Sequence, residues 1–104
     1  MTQSTKTTTR RYDAARYLQD EASMAAYLDA AFEEGDPRLI AVALGAIARA
    51  KGMTEVARAA GLSRESLYRA LSEDGNPELG TILKVVQALG MRLRPVVEGQ
   101  PAPN

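Results

Sequence analysis

The side chains best equipped for chemistry gather between Met53 and Leu71, where Ser63, Arg64, Glu65, Ser66, Tyr68 and Arg69 follow one another closely. Their chemistry is hydrogen bonding to a polyanion. The planar guanidinium forks of Arg64 and Arg69 match guanine O6 and N7, and Glu65 can accept from a cytosine amine. Ser63 and Ser66 suit phosphate oxygens, helped by the positive end of a helix that starts there. Tyr68 can touch a phosphate or a thymine methyl group, and Arg58 can reach a nucleic-acid backbone from the preceding helix. Two plainer readings stay open: Glu65 pairs with Arg69 four residues on, or Arg58 is a solvated charge.

Catalysis does not fit this inventory. The chain has no histidine and no cysteine, so Ser63 and Ser66 lack the usual activating base. The commonest nitrogen and sulfur ligands for zinc are missing too. The carboxylates are scattered along helix faces, and Gly75-Asn76-Pro77 reads as a turn rather than a phosphate-cradling loop. The expectation is a protein that is not an enzyme and takes no cofactor or metal.

Those polar side chains need a scaffold, and the apolar and small residues among them describe one. Met53 to Ala60 reads as two helical turns with Val56, Ala57 and Ala60 inward. Ala57 is small enough for a second helix to cross close by. Gly61 tolerates positive φ in the turn. Leu62 plugs the turn against a core, Ser63 caps the next helix, and Leu67 and Leu71 lock that helix down. Arg64, Glu65, Tyr68 and Arg69 then fall on or beside the opposite face, where the N-terminal end of a recognition helix would meet a major groove.

The remaining elements follow from periodicity and caps. Asp20 is an N-cap, and Met24, Tyr27, Leu28, Ala31 and Phe32 form one helical stripe ending near Gly35. Asp36-Pro37 restarts the chain as N-cap and first helical residue. Ile40, Ala43, Leu44, Ile47 and Ala48 form the next stripe, widened by Leu39 and Val42 as if buried on more than one side, and Gly52 stops it. Glu78 to Leu89 predicts a fifth helix with Leu79, Ile82, Leu83, Val86 and Leu89 apolar, closed by Gly90. Between Met91 and Val97 the period changes to alternation, which predicts a short edge strand, since Pro95 cannot donate to a ladder. That strand either pairs with its copy across a two-fold axis or docks on the chain's own N-terminus. Tyr12, Ala15 and Leu18 are candidates to dock an N-terminal segment onto the body.

With 104 residues the chain has room for one domain and short tails. The expected division is a disordered tail over 1–10, an N-terminal helical extension over 11–35, a helix-turn-helix domain over 36–97 and a flexible tail over 98–104. No apolar run reaches the roughly 20 residues needed to cross a bilayer, and Met1 to Arg11 is Thr-rich and basic without the apolar stretch of a secretory signal. A cytoplasmic location is expected, with no membrane contact. Lys plus Arg and Asp plus Glu both number 13, a balance that argues against indiscriminate coating of nucleic acid. The charges are segregated, however. The stretch Asp20 to Asp36 holds six acids (Asp20, Glu21, Asp29, Glu33, Glu34 and Asp36) and no base, whereas Arg49, Lys51, Arg58, Arg64 and Arg69 share theirs with only Glu55 and Glu65. Such a molecule can turn a basic side to phosphates.

The pattern Val56-Ala57 … Gly61-Leu62-Ser63 … Leu67 resembles the helix-turn-helix of Cro/C1-type repressors. The likeness widens with Tyr12 to Leu18, Ala26-Tyr27-Leu28, Glu33 to Pro37, Ala43-Leu44-Gly45, Ala48 to Thr54, Gly61 to Leu71, Gly75-Asn76-Pro77, Thr81 to Val86 and Ala88-Leu89-Gly90. Together these segments resemble the HigA-type addiction-module antidote (antitoxin) proteins over about residues 12 to 94. The resemblance implies an all-α, five-helix, Cro/C1-like (lambda-repressor-like) domain with the N-terminal helical extension and the short C-terminal strand. It implies an antitoxin of a type II toxin–antitoxin pair, which binds a RelE/ParE-fold toxin and represses its own operon as a homodimer on double-stranded operator DNA. One departure stands out: where the wider Cro/C1 pattern often has glutamine at the start of the helix before the turn, this chain has Met53, which puts one phosphate contact in doubt and not the fold. The acidic stretch from Asp20 to Glu34 is either a surface for a basic toxin or a solvated helix face. A stand-alone regulator and a protein-interaction module that has lost DNA binding are the competing readings.

Overall fold

A computed structural model describes residues 20–99 and forms five helices: α1 Glu21–Glu34, α2 Pro37–Lys51, α3 Met53–Ala60, α4 Arg64–Ala70 and α5 Leu79–Ala88. The tails over 1–10 and 100–104, and the docking residues Tyr12, Ala15 and Leu18, lie outside the described residues.

Local chemistry sets the boundaries. The Asp20 carboxylate accepts the Ser23 N–H at 2.8 Å and starts α1; Gly35, at φ 71°, ends it with its N–H on the Phe32 carbonyl. Asp36 accepts the Arg38 N–H at 3.0 Å, and Pro37, which has no N–H to lose, opens α2. Gly52 separates α2 from α3 at φ 115°, a conformation that lets the two helices meet with no intervening loop.

The helices share one core. Met24 and Leu28 of α1, Leu44, Ile47 and Ala48 of α2, Val56 and Ala57 of α3, Leu67 of α4, and Val85, Val86 and Leu89 at the α5 end are all buried together. α1 packs along α2, while α3 is central, touching α2, α4 and α5. The whole of this burial is apolar, with no buried polar or charged side chain among the described residues. Gly45 of α2 permits a close approach, since a Cβ there would lie 2.9 Å from the carbonyl oxygen of Leu71.

Three expectations are corrected. Leu39 and Val42 were expected to be covered but are 45% and 36% exposed. α2 is apolar around most of its circumference, and its neighbours α1 and α3 cover only part of it. On α5, Leu79 and Leu83 are 66% and 38% exposed, and Val85 is fully buried in their stead. Both the 79-82-83-86 and the 82-85-86-89 stripes satisfy a 3.6-residue period, so periodicity cannot choose between them. Finally, the C-terminal strand is not formed: Met91 to Val97 runs on without regular structure, and the described residues contain no strand. A strand exists only with a ladder partner, and the described part of a single chain offers it none. The alternation itself has a structural use, because Met91 and Leu93 pack on the core while Arg92 and Arg94 are exposed.

Candidate nucleic-acid interface

The turn between α3 and α4 is built from the residues that the spacing singled out. Gly61 sits at φ 73° and its N–H reaches the Arg58 carbonyl at 3.1 Å, while the Leu62 N–H reaches the Ala57 carbonyl at 2.9 Å. These two bonds close the C-terminal end of α3, and three residues separate it from α4. Val56 and Ala57 are buried, Leu62 is half-buried over the turn, and Leu67 is completely buried on the inner face of α4. Ser63 starts α4, its hydroxyl oxygen accepting the Ser66 N–H at 3.0 Å.

With Leu67 pinned inward, Arg64, Glu65, Tyr68 and Arg69 are all exposed. They divide into two flanks. Arg64 and Tyr68 line an open cleft of about 510 Å³ together with Arg49, Lys51, Gly52, Met53, Thr54 and Glu55. Ser66 and Arg69 line a second, of about 400 Å³, with Ala70, Ser72, Asp74, Gly75, Asn76 and Pro77. Glu65 and Arg58, both exposed, line neither. α4 therefore stands as a ridge between two open depressions.

On the first flank the Arg64 guanidinium lies 5.4 Å from the centre of the Tyr68 ring, and its Nη2 is 3.5 Å from the Tyr68 hydroxyl. The stacking restrains a long side chain at little cost to its charge. None of Arg58, Arg64 and Arg69 forms an ion pair among the described residues, so Glu65 does not hold Arg69 here. The ion pair present is Lys51 to Glu21 at 4.0 Å. Between the serines, the Ser63 hydroxyl donates to Ser66 Oγ at 2.9 Å. The Ser63 proton is thereby engaged, and Ser66 retains a hydroxyl proton to offer an acceptor.

Arg49, Lys51 and Thr54 on the first flank, and Asn76 on the second, are neighbours that the motif did not identify. The excess of bases from Arg49 onward was the available signal for the first two; Thr54 and Asn76 lie in segments that carry the family resemblance, but only the folded chain brings them beside α4. Met53, which opens α3, is buried and packs in the core. The described residues hold no cluster of His, Cys, Asp or Glu able to bind a metal ion. No helix among them is long and apolar enough to cross a membrane.

Comparison with known proteins agrees with the pattern of residues. An uncharacterized protein of Haemophilus influenzae is 45% identical over 83 residues, covering 80% of this chain and 86% of that protein. No solved structure matches the chain significantly. The profile of a family described as "Probable addiction module antidote protein" matches residues 8–97, and with nearly the whole chain covered, the protein belongs to that family.

Proposed function

We propose that the protein is the DNA-binding antitoxin of a type II toxin–antitoxin module, neutralising a RelE/ParE-fold toxin and repressing its own operon from the cytoplasm. Family membership supports the antidote role and, with it, a toxin partner. The observation that carries the DNA-binding part is the ridge: α4 is pinned by Leu67 and presents Arg64, Glu65 and Arg69 outward with no ion pair formed between them. In this reading α4 enters the major groove, Arg64, Glu65 and Arg69 meet base edges, and Arg58, Ser66 and Tyr68 meet phosphates, with Ser63 serving the cap first. One helix of seven residues touches too few base pairs for tight specific binding, so a homodimer on two half-sites about one DNA turn apart completes the proposal.

The test has two arms. Co-expression with the product of the adjacent reading frame should give a stable complex in which the toxin is silent. Binding of the purified chain to the duplex upstream of its own gene should be lost or made indiscriminate by Arg64→Ala with Arg69→Ala. A chain that binds that duplex but has no toxin among its neighbours is a stand-alone Cro/C1-type regulator. One that captures a toxin yet binds no duplex has kept the fold for protein contacts alone.

A further inference from the structure

Arg49 and Lys51 arise in the last turn of α2, outside the helix-turn-helix, yet they line the same open cleft as Arg64 at the start of α4. Three cations thus face one depression, with Glu55 the single carboxylate among its lining residues. The Lys51–Glu21 contact relieves little of this excess. At 4.0 Å, between side chains 33% and 74% exposed, it is at the outer limit of an ion pair and screened by water. Arg64 is propped on the Tyr68 ring, so its charge stays at the cleft instead of dispersing into solvent. Like charges held together at an open surface raise the local potential and attract an anion. The cleft is shallow and open, suited to a strand of linked phosphates passing over it. Thr54, which carries a hydroxyl, lines the same walls.

We propose that this cleft seats one phosphodiester of duplex DNA, held by Arg49 and Lys51, with Thr54 adding a neutral donor and Arg64 standing at its border with the groove. The inference rests on the DNA-binding reading above and extends the contact surface to α2. It also gives the chain a way to hold the backbone where the buried Met53 offers no polar group.

The experiment titrates the full-length chain against two labelled duplexes across a range of salt concentrations. One is the DNA upstream of its own gene, and the other is a scrambled duplex of equal length and composition. Arg49→Gln and Lys51→Gln should each reduce the salt slope by about one per bound protomer. Each should weaken both duplexes alike, by about fivefold at 0.15 M salt, the factor that a slope of ~0.9 per contact gives. Arg49→Lys and Lys51→Arg should keep the slope. Glu21→Gln, which removes the ion pair but leaves Lys51, should bind as well as the native chain. If it instead reproduces the Lys51→Gln loss, Lys51 acts by holding α1 and the proposal is overturned. Unchanged slopes in Arg49→Gln and Lys51→Gln, with Arg69→Ala still abolishing the preference between duplexes, overturn the cleft while sparing the DNA-binding reading. A native chain that binds neither duplex overturns both.

Discussion

Gly45 and the carbonyl oxygen of Leu71 face each other so closely that a methyl group on Gly45 would sit 2.9 Å from that oxygen. The contact joins the middle of α2 to the residue that closes α4, and so sets where the candidate recognition helix ends. Alanine is the better helix former by ~1 kcal/mol, yet the obstructing atom is backbone and cannot rotate away. Gly45→Ala should therefore destabilise the fold by about 1–3 kcal/mol and weaken DNA binding, because α4 has to shift. Urea unfolding gives the first number; a variant as stable as the native chain would show that the two helices have slack.

Neighbouring residues on α4 should behave in opposite ways. Leu67 is fully buried, and Leu67→Ala should cost about 2–5 kcal/mol. Tyr68, one position later, is 42% exposed, and Tyr68→Ala should change stability by no more than about 0.5 kcal/mol. Its effect should fall on DNA affinity, since Arg64 loses the ring beneath it. Thermal melts paired with duplex titrations separate the two, and a large stability loss in Tyr68→Ala would contradict the assigned face of α4.

The turn offers a purely conformational test. Nothing lies within 4 Å of a Cβ built on Gly61, but its φ is 73°. The cost of Gly61→Ala is then backbone strain alone, about 1–2 kcal/mol. Gly61→Asn should lose less, because asparagine adopts this conformation more readily. Equal losses in denaturant midpoint for the two would point to an unseen steric contact.

Asp20 makes the N-terminus of α1 sensitive to acid. The Ser23 N–H, then the Ser23 hydroxyl, bind its carboxylate and hold its pKa below the ordinary 3.8, outweighing the opposing effect of desolvation. A lowered folded-state pKa means a contribution that is complete above the unfolded value and fades as the pH falls through the folded one. Asp20→Asn keeps a capping oxygen but cannot titrate. The melting-temperature gap between native and Asp20→Asn should stay flat from neutral pH to about pH 5 and then shift against the native chain on further acidification. A gap constant down to pH 2 would remove the cap's role.

The helices were legible wherever punctuation was local. Asp20, Gly35, Asp36-Pro37, Gly52, Gly61 and Ser63 act on the backbone within a few residues, and α1 to α4 each start or stop beside them. Faces were legible where one stripe of the helix was apolar, as on α1, and misread where most of the circumference was, as with Leu39 on α2 and Leu79 on α5. The alternation from Met91 to Val97 was real, but alternation reports which side chains face a core and carries no knowledge of a ladder partner. On α4, the outward placement of Arg64, Tyr68 and Arg69 was legible from helix spacing, whereas the grouping of Arg64 with Arg49, Lys51 and Thr54 was not.

Sequence alone therefore determined five helices, the N-caps at Asp20, Asp36 and Ser63 and the turn at Gly61, because those depend on the conformational preferences of a few adjacent residues. The tertiary structure decided which side of α5 is buried, that Gly45 must lack a side chain, and that bases from α2 and α4 border one cleft. These depend on distances between segments far apart in the chain, which only packing around a shared core determines.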